Sequence, residues 1–121
     1  MKKFITHQHR RFGFALNGFC TAFKSDHNFK LQVWASLFFI GFGYFEQPLT
    51  QTEILFLALS YILIIITELQ NTSFEKALNH LHPELHDNIG ASKDIAASAV
   101  LAAGLFAFIV VAVIFITHHV R

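Results

Sequence analysis

The sequence is poor in charge and has a single cysteine. Charged residues make up 14% of its 121 residues, whereas hydrophobic residues make up 54%. A water-soluble domain of this size has too little interior to bury so much apolar surface, so the composition excludes an ordinary soluble domain and favours a membrane protein. Cys20 excludes an internal disulfide, and we expect it to serve in packing.

Several common motifs are also missing. The chain has neither a glycine-rich Walker loop nor a protein-kinase signature. No repeat, low-complexity tract or long linker divides it, so the sequence predicts one domain over residues 1–121. Lys2 and Lys3 are not followed by an uninterrupted apolar segment, and we therefore expect no cleavable signal peptide.

Three apolar segments dominate what is present, and Pro48 and Pro83 separate them. The third segment, 95–117, is long enough to cross ~30 Å of hydrocarbon at ~1.5 Å per residue. The middle one, 54–66, covers only about 20 Å, so its helix should continue into the headgroup layer. The pattern predicts an all-α integral membrane protein with three membrane helices, at about residues 29–47, 52–75 and 92–117.

An amphipathic helix is predicted over residues 10–28, before the first membrane helix. Its apolar residues recur at steps of four, three and four: Phe12, Leu16, Phe19 and Phe23. Such a stripe, flanked by basic residues, is typical of a helix lying on the anionic cytoplasmic leaflet. Packing of the same stripe against the membrane helices is an equally favoured alternative.

Basic residues predict the orientation in the membrane. Six of the nine precede the first membrane helix: Lys2, Lys3, Arg10, Arg11, Lys24 and Lys30. Because cytoplasmic loops of membrane proteins are enriched in Lys and Arg, the amino terminus is predicted to be cytoplasmic. Residues 68–94 then also face the cytoplasm, where ATP and magnesium are available, and His118 and His119 end on the opposite side.

Hydrophilic residues follow directly on the middle apolar segment. Glu68, Asn71 and Glu75 share one helical face, and ionisable groups beside a membrane segment usually serve a pathway or a polar partner. Asp26 and Glu75 project roughly 10 to 14 Å beyond the apolar segments on the same side. Magnesium commonly takes one or two carboxylates, so this pair predicts a Mg²⁺ site. Glu68 lies about two turns deeper, where it is placed to act as a base on a lipid hydroxyl.

Lys93 and Asp94 begin the third predicted membrane helix. A helix amino terminus suits phosphate binding, and Lys93 adds a full positive charge. Spacing alone nevertheless favours a structural interpretation, in which Lys93 extends to the interface and Asp94 is a favourable first-turn acid. Nearby histidines are interpreted as solvated interfacial residues rather than metal ligands: His80, His82 and His86.

Three motifs in order carry a resemblance to a known family. They are ELQNTSFE at residues 68–75, PELH at 83–86 and KDIAASAVL at 93–101. With RFGF at 11–14 and FKSDHNF at 23–29, the chain resembles the small prokaryotic diacylglycerol kinase and undecaprenol kinase family over residues 10–116. The resemblance implies ATP-dependent phosphorylation of a lipid hydroxyl, of diacylglycerol or undecaprenol, at the cytoplasmic face of the prokaryotic inner membrane.

The resemblance also implies roles for individual residues. Glu68 matches the acid that accepts the proton of the lipid hydroxyl, and Asn71 matches the neighbouring active-site asparagine. Asp26 and Glu75 match the two carboxylates that bind Mg²⁺. The implied positions for binding ATP are Phe14, Asp26, Glu75, Glu84, His86, Lys93 and Asp94.

Two positions depart from the family pattern. Asp26 replaces the more usual glutamate, which shortens one metal ligand by a methylene, and Gln32 occupies a position that is acidic in some relatives. The first affects metal geometry and the second the choice of acceptor lipid; the second and third motifs look nearer to the undecaprenol-type members. The resemblance further implies a homotrimer with shared active sites, whose other partners are ATP and a membrane lipid and not a nucleic acid.

The sequence leaves one interpretation from another class of protein open. In a non-enzymatic three-helix membrane channel or assembly subunit, Glu68, Asn71 and Glu75 would only join helices through interhelical hydrogen bonds. ATP-dependent labelling of a lipid separates this alternative from a kinase.

Overall fold

Helices account for almost all of the structure, a computed structural model that describes the backbone of residues 2–81 and 87–120 and the side chains of residues 10–81 and 88–120. Over these residues there are five helices and no strand, which confirms the predicted all-α class. The helices are α1 (Lys2–Ser25), α2 (His27–Trp34), α3 (Ser36–Phe45), α4 (Gln51–Leu81) and α5 (Asp87–His119).

The long helices α4 and α5 pack against each other and form the centre of the fold. Two small apolar clusters join them, one around Leu57, Val110 and Ile114 and one around Ile64, Ala103 and Ala107. Ala103 and Ala107 lie one turn apart on α5, and small side chains at such spacing let two helices approach closely. The pairing of α4 with α5 therefore positions the face of α4 that carries Glu68 relative to α5.

Helices α4 and α5 are each long and apolar enough to cross a membrane. Only 22% of the most apolar part of either helix is buried within the chain, so this apolar surface is not the core of a water-soluble fold. Both helices exceed the predicted bounds. Helix α4 continues from residue 75 to Leu81, and α5 begins at Asp87 rather than at residue 92.

The membrane helix predicted at residues 29–47 is interrupted in the structure. A turn at Ala35 separates α2 from α3, although its φ and ψ of −60° and −17° stay in the helical region. The hydroxyl of Tyr61 on α4 lies 3.4 Å from the carbonyl oxygens of both Gln32 and Val33, beside the break. The Val33 carbonyl also accepts a backbone N–H at the cap, and the Tyr61 hydroxyl adds a polar neighbour from α4 beside the break. An uninterrupted helix was therefore the wrong expectation for this segment.

The predicted amphipathic helix also ends earlier than expected, at Ser25 instead of residue 28. Asp26 has an extended backbone, and its side chain accepts a hydrogen bond of 3.1 Å from the N–H of Phe29, so it is the N-cap of α2. Phe29 is fully buried and packs edge-to-face against Phe19 of α1. Further back along α1, Phe12 and Leu16 are exposed and do not pack on the other helices.

Polar contacts also join the helices at the opposite end of the bundle. Thr50 and Glu53 form a capping box at the start of α4, in which Glu53 Oε2 accepts from both the N–H and the hydroxyl of Thr50 at 2.7 Å. The other carboxylate oxygen, Glu53 Oε1, lies 3.1 Å from His118 Nε2 near the end of α5. His118 Nδ1 lies 3.7 Å from the buried carboxylate of Glu46, which follows α3. This far-end cluster of Glu46, Glu53 and His118 connects three helices.

Candidate functional site

A polar pocket lies between α2, α4 and α5. Its carboxylates come from α4, where Glu68 is buried with 4% of its surface exposed and Asn71 is also buried. The pocket measures about 300 Å³, the lower end of the range for sites that bind small ligands. It is lined by Asn28, Leu31, Gln32, Glu68, Asn71, Glu75, Ala97, Val100 and Leu101. Carboxylates therefore face apolar side chains, an arrangement that suits an amphiphilic molecule.

Asn71 is incompletely hydrogen-bonded within this pocket. Its Nδ2 group donates to Glu75 Oε1 one turn further along α4, at a long distance of 3.4 Å. Its Oδ1 atom is buried and has no hydrogen-bond partner among the residues that the structure describes. A buried acceptor without a donor is unfavourable, so Oδ1 is available to a hydroxyl or a cation that enters the pocket.

Asp26 is fixed by donors from two different elements. Its Oδ1 accepts from the Phe29 N–H, as the α2 cap, and its Oδ2 accepts from the Thr72 hydroxyl of α4 at 2.7 Å. Partial burial by itself would raise the pKa of Asp26, but these hydrogen bonds and the charge of Lys76 hold it below its ordinary value. The lowered pKa means that Asp26 stabilises the fold above the ordinary aspartate pKa and loses this contribution as the pH falls through the lowered value.

The Thr72 contact brings Asp26 to the acidic face of α4. Thr72 precedes Glu75 by three residues, a spacing at which two helical side chains are neighbours. Glu68 and Glu75 line the same polar pocket, with Asn71 between them on α4. The structure thus assembles four of the predicted site residues around one end of α4: Asp26, Glu68, Asn71 and Glu75.

The donor atoms in this region suit a hard divalent cation. The carboxylates of Asp26 and Glu75 and the free carbonyl oxygen of Asn71 are all oxygen donors, which Mg²⁺ prefers. Within residues 10–81 and 88–120, no three or more His, Cys, Asp or Glu side chains converge as a full set of metal ligands. A cation that takes one or two carboxylates and keeps water and phosphate oxygens fits such a partial set.

Lys93 points toward α4 rather than away from the protein. Its Nζ donates to Asn79 Oδ1 at 2.6 Å, and Asn79 lies one turn beyond Glu75 on α4. This places a positive charge one turn along α4 from Glu75. Asp94, the other predicted nucleotide-binding residue on α5, is exposed.

Phe14, another predicted nucleotide contact, does not line this pocket. Phe14 is 63% exposed on α1, with the guanidinium of Arg10 5.8 Å from the centre of its ring. Glu84 and His86 lie outside the described residues. Sequence reasoning also missed Thr72 and Asn79, which contact Asp26 and Lys93; the available signal was their position on α4 at helical spacing from Glu75.

A model of the prokaryotic diacylglycerol kinase family matches residues 13–115. The chain belongs to that family. It is therefore a lipid kinase and a membrane protein, which confirms the resemblance and excludes the non-enzymatic alternative. A diacylglycerol kinase of Haemophilus influenzae (strain ATCC 51907 / DSM 11121 / KW20 / Rd) is 26% identical over 99 residues, which are 82% of this chain and 83% of that protein.

The matched region of this lipid kinase contains the whole polar pocket. Asp26, Lys93 and the acidic face of α4 all lie within residues 13–115, whereas His118 of the far-end cluster lies beyond them.

Proposed function

We propose that this lipid kinase transfers the γ-phosphate of ATP to the hydroxyl of a membrane lipid, diacylglycerol or undecaprenol. The observation that carries the proposal is the pocket itself, where the buried Glu68 and Asn71 of α4 share one lining with Leu31 of α2 and with three apolar residues of α5: Ala97, Val100 and Leu101. A lipid alcohol has this combination of a polar hydroxyl and an apolar chain. The name of the Haemophilus relative supports diacylglycerol as the first acceptor to test.

Glu68 is the proposed proton acceptor. It is a buried carboxylate that lines the pocket beside Asn71, so a lipid hydroxyl in the pocket would lie within its reach. Removing the hydroxyl proton as the oxygen attacks phosphorus is general-base chemistry. Asn71 Nδ2 carries a second N–H besides the one it donates to Glu75, and this N–H would donate to the hydroxyl oxygen and hold the nucleophile in line.

Asp26 and Glu75 are the proposed ligands of Mg²⁺. When bound, the cation would neutralise charge on the phosphates of ATP. Thr72 and Phe29 hold the Asp26 carboxylate in place, and Asn79 holds Lys93 one turn from Glu75, so that a second positive charge can contact phosphate oxygens. Four further residues are proposed to contact the nucleotide on the basis of the resemblance: Phe14, Glu84, His86 and Asp94.

The proposed setting is the prokaryotic inner membrane, with the amino terminus and the pocket on the cytoplasmic side. The concentration of basic residues before α2 supports this orientation. In this arrangement α1 lies on the leaflet with Phe12 and Leu16 toward lipid, and the interrupted pair α2 and α3 forms the first of three crossings. We further propose a homotrimer, in which a neighbouring subunit covers the open side of the pocket and so shares the active site.

A lipid panel tests the proposed activity. Purified protein in mixed micelles would receive γ-labelled ATP, Mg²⁺ and one lipid alcohol at a time: diacylglycerol, undecaprenol or a long-chain alkanol. We expect labelled lipid from diacylglycerol or undecaprenol and none in a matched preparation of Glu68→Gln. Label in phosphate alone, with no labelled lipid from any acceptor, would contradict the proposal. The mass of the protein in detergent, measured by light scattering, would separately test the three-chain assembly.

A further inference from the structure

Thr72 is a buried hydroxyl that does not bond to its own helix. Threonines inside helices usually donate to a carbonyl three or four residues earlier. Thr67 does so on the same helix, with Oγ1 2.9 Å from the Leu63 carbonyl oxygen and 3.1 Å from that of Ile64. Thr72, with only 3% of its surface exposed, instead donates at 2.7 Å to Asp26, 46 positions away in the chain.

The Thr72 bond completes the fixation of the Asp26 carboxylate. One oxygen receives the Phe29 N–H of α2 and the other receives the Thr72 hydroxyl of α4, so neither torsion of the short side chain can rotate freely. A carboxylate has about four acceptor positions, and two donors leave a free position on each oxygen. The carboxylate is therefore held rigidly and is still able to bind a cation.

The position of Thr72 on α4 determines what this fixation achieves. Thr72 follows Asn71 and shares a helical face with Glu75 three residues later. Its hydroxyl thus holds the Asp26 carboxylate, at the start of α2, near the level of the Glu75 carboxylate on α4. The backbone cap alone could not do this, because it fixes Asp26 to α2 and not to α4.

We propose that Thr72 is a positioning residue, whose hydroxyl holds Asp26 beside Glu75 so that the two carboxylates bind one divalent cation together. The inference rests on the proposed function, because it assumes that Asp26 and Glu75 are the cation ligands. Thr72 itself contacts neither the cation nor the lipid. It acts by reducing the number of orientations that Asp26 must lose when the cation binds.

Substitutions of similar size separate the hydroxyl from the rest of the side chain. Thr72→Val removes the hydroxyl, Thr72→Ser keeps it, and Thr67→Val removes a hydroxyl that bonds only to its own helix. We expect Thr72→Val to raise the half-saturating Mg²⁺ concentration roughly tenfold, the factor expected for loss of one hydrogen bond to a charged group. Thr72→Ser and Thr67→Val should stay within about twofold of wild type, since each retains the bond to Asp26.

A binding measurement without turnover accompanies the kinetics. Mn²⁺ bound to the detergent-solubilised protein in the presence of ATP, measured by electron paramagnetic resonance, should weaken by the same factor in Thr72→Val. In the Asp26→Asn background, Thr72→Val should add little further loss, because the two changes would remove one interaction. If Thr72→Val fails to fold, the comparison of Thr72→Ala with Thr72→Ser isolates the hydroxyl instead.

The outcomes distinguish failure of this inference from failure of the proposed function. Unchanged Mg²⁺ and Mn²⁺ binding in Thr72→Val or Thr72→Ala, while Asp26→Asn weakens both, would overturn the role of Thr72 and leave the cation site intact. A fall in thermal stability without a change in cation binding would also overturn it, because it would assign the bond to folding alone. If Asp26→Asn and Glu75→Gln both leave cation binding unchanged, the proposed cation site itself is wrong.

Discussion

Asn71 donates from its side-chain amide to Glu75 at 3.4 Å, and its own carbonyl oxygen is buried without a donor. The two residues lie one turn apart on α4, between the buried Glu68 and the point where Lys93 contacts the same helix at Asn79. Asn71 therefore links the part of the pocket proposed to bind the lipid hydroxyl to the part proposed to bind the nucleotide.

Replacing Asn71 by aspartate tests this link. The change keeps the size of the side chain but removes the N–H donor and places a like charge next to Glu75. We expect kcat/KM for the lipid to fall roughly tenfold or more, from loss of a hydrogen bond to a charged group and added repulsion. Steady-state kinetics at saturating ATP measure the effect. Asn17→Asp on the exposed face of α1 is a matched control, and equal activities of the two variants would contradict the assignment.

The two proposed cation ligands should affect the requirement for Mg²⁺. Asp26→Asn removes a charge but keeps a good N-cap for α2, so the fold should persist. We expect Asp26→Asn and Glu75→Gln each to raise the half-saturating Mg²⁺ concentration, on the order of tenfold for the loss of one charged oxygen ligand. Glu53→Gln, at the far end of α4, should leave the titration unchanged. Identical Mg²⁺ titrations for all three variants and wild type would remove the cation site from the account.

Asp26 and Glu75 are also expected to act from the same chain. The Thr72 bond holds Asp26 against the α4 of its own protomer, three residues from Glu75. Mixed oligomers of Asp26→Asn and Glu75→Gln subunits should therefore show no more activity than the sum of the two parents. Every chain in such a mixture lacks one of the two carboxylates, so no chain can form the complete pair. The readout is lipid phosphorylation after co-reconstitution. Recovery well above that sum would mean that the two carboxylates meet between subunits.

Much of this arrangement could be predicted from the sequence, because periodicity and apolar length are local properties. The paired helices α4 and α5 follow from their long apolar segments, and the shared face of Glu68, Asn71 and Glu75 follows from helical spacing. The break at Ala35 could not be predicted in this way, since the side chain that lies beside it, Tyr61, is 28 positions beyond Val33 in the chain. The role of Asp26 as the N-cap of α2 could not be predicted from local spacing either. Its carboxylate also contacts Thr72, which is 46 positions away in the chain.

The far-end cluster should affect stability and not catalysis. His118 connects Glu53 of α4 and Glu46 beyond α3, and it lies outside the region that matches the family model. His118→Asn should lower the midpoint of thermal unfolding in detergent by a few degrees, because one helix end loses its polar contact. Circular dichroism follows the unfolding, and wild type is the reference because the neighbouring His119 also lies close to Glu46, at 3.5 Å. An unchanged midpoint together with a changed Mg²⁺ requirement would contradict this division between the two ends.

Glu68→Gln provides the most direct test of the central claim, that the buried acidic face of α4 transfers phosphate to a lipid hydroxyl. Glutamine keeps the size and polarity of the side chain but cannot accept a proton at neutral pH. The measurement is the rate of labelled phosphate transfer from ATP to the lipid alcohol, together with nucleotide binding to the same preparation. We predict that Glu68→Gln binds nucleotide as wild type does and loses most lipid phosphorylation, a fall of roughly a hundredfold or more for loss of a general base. Turnover near the wild-type rate would contradict it.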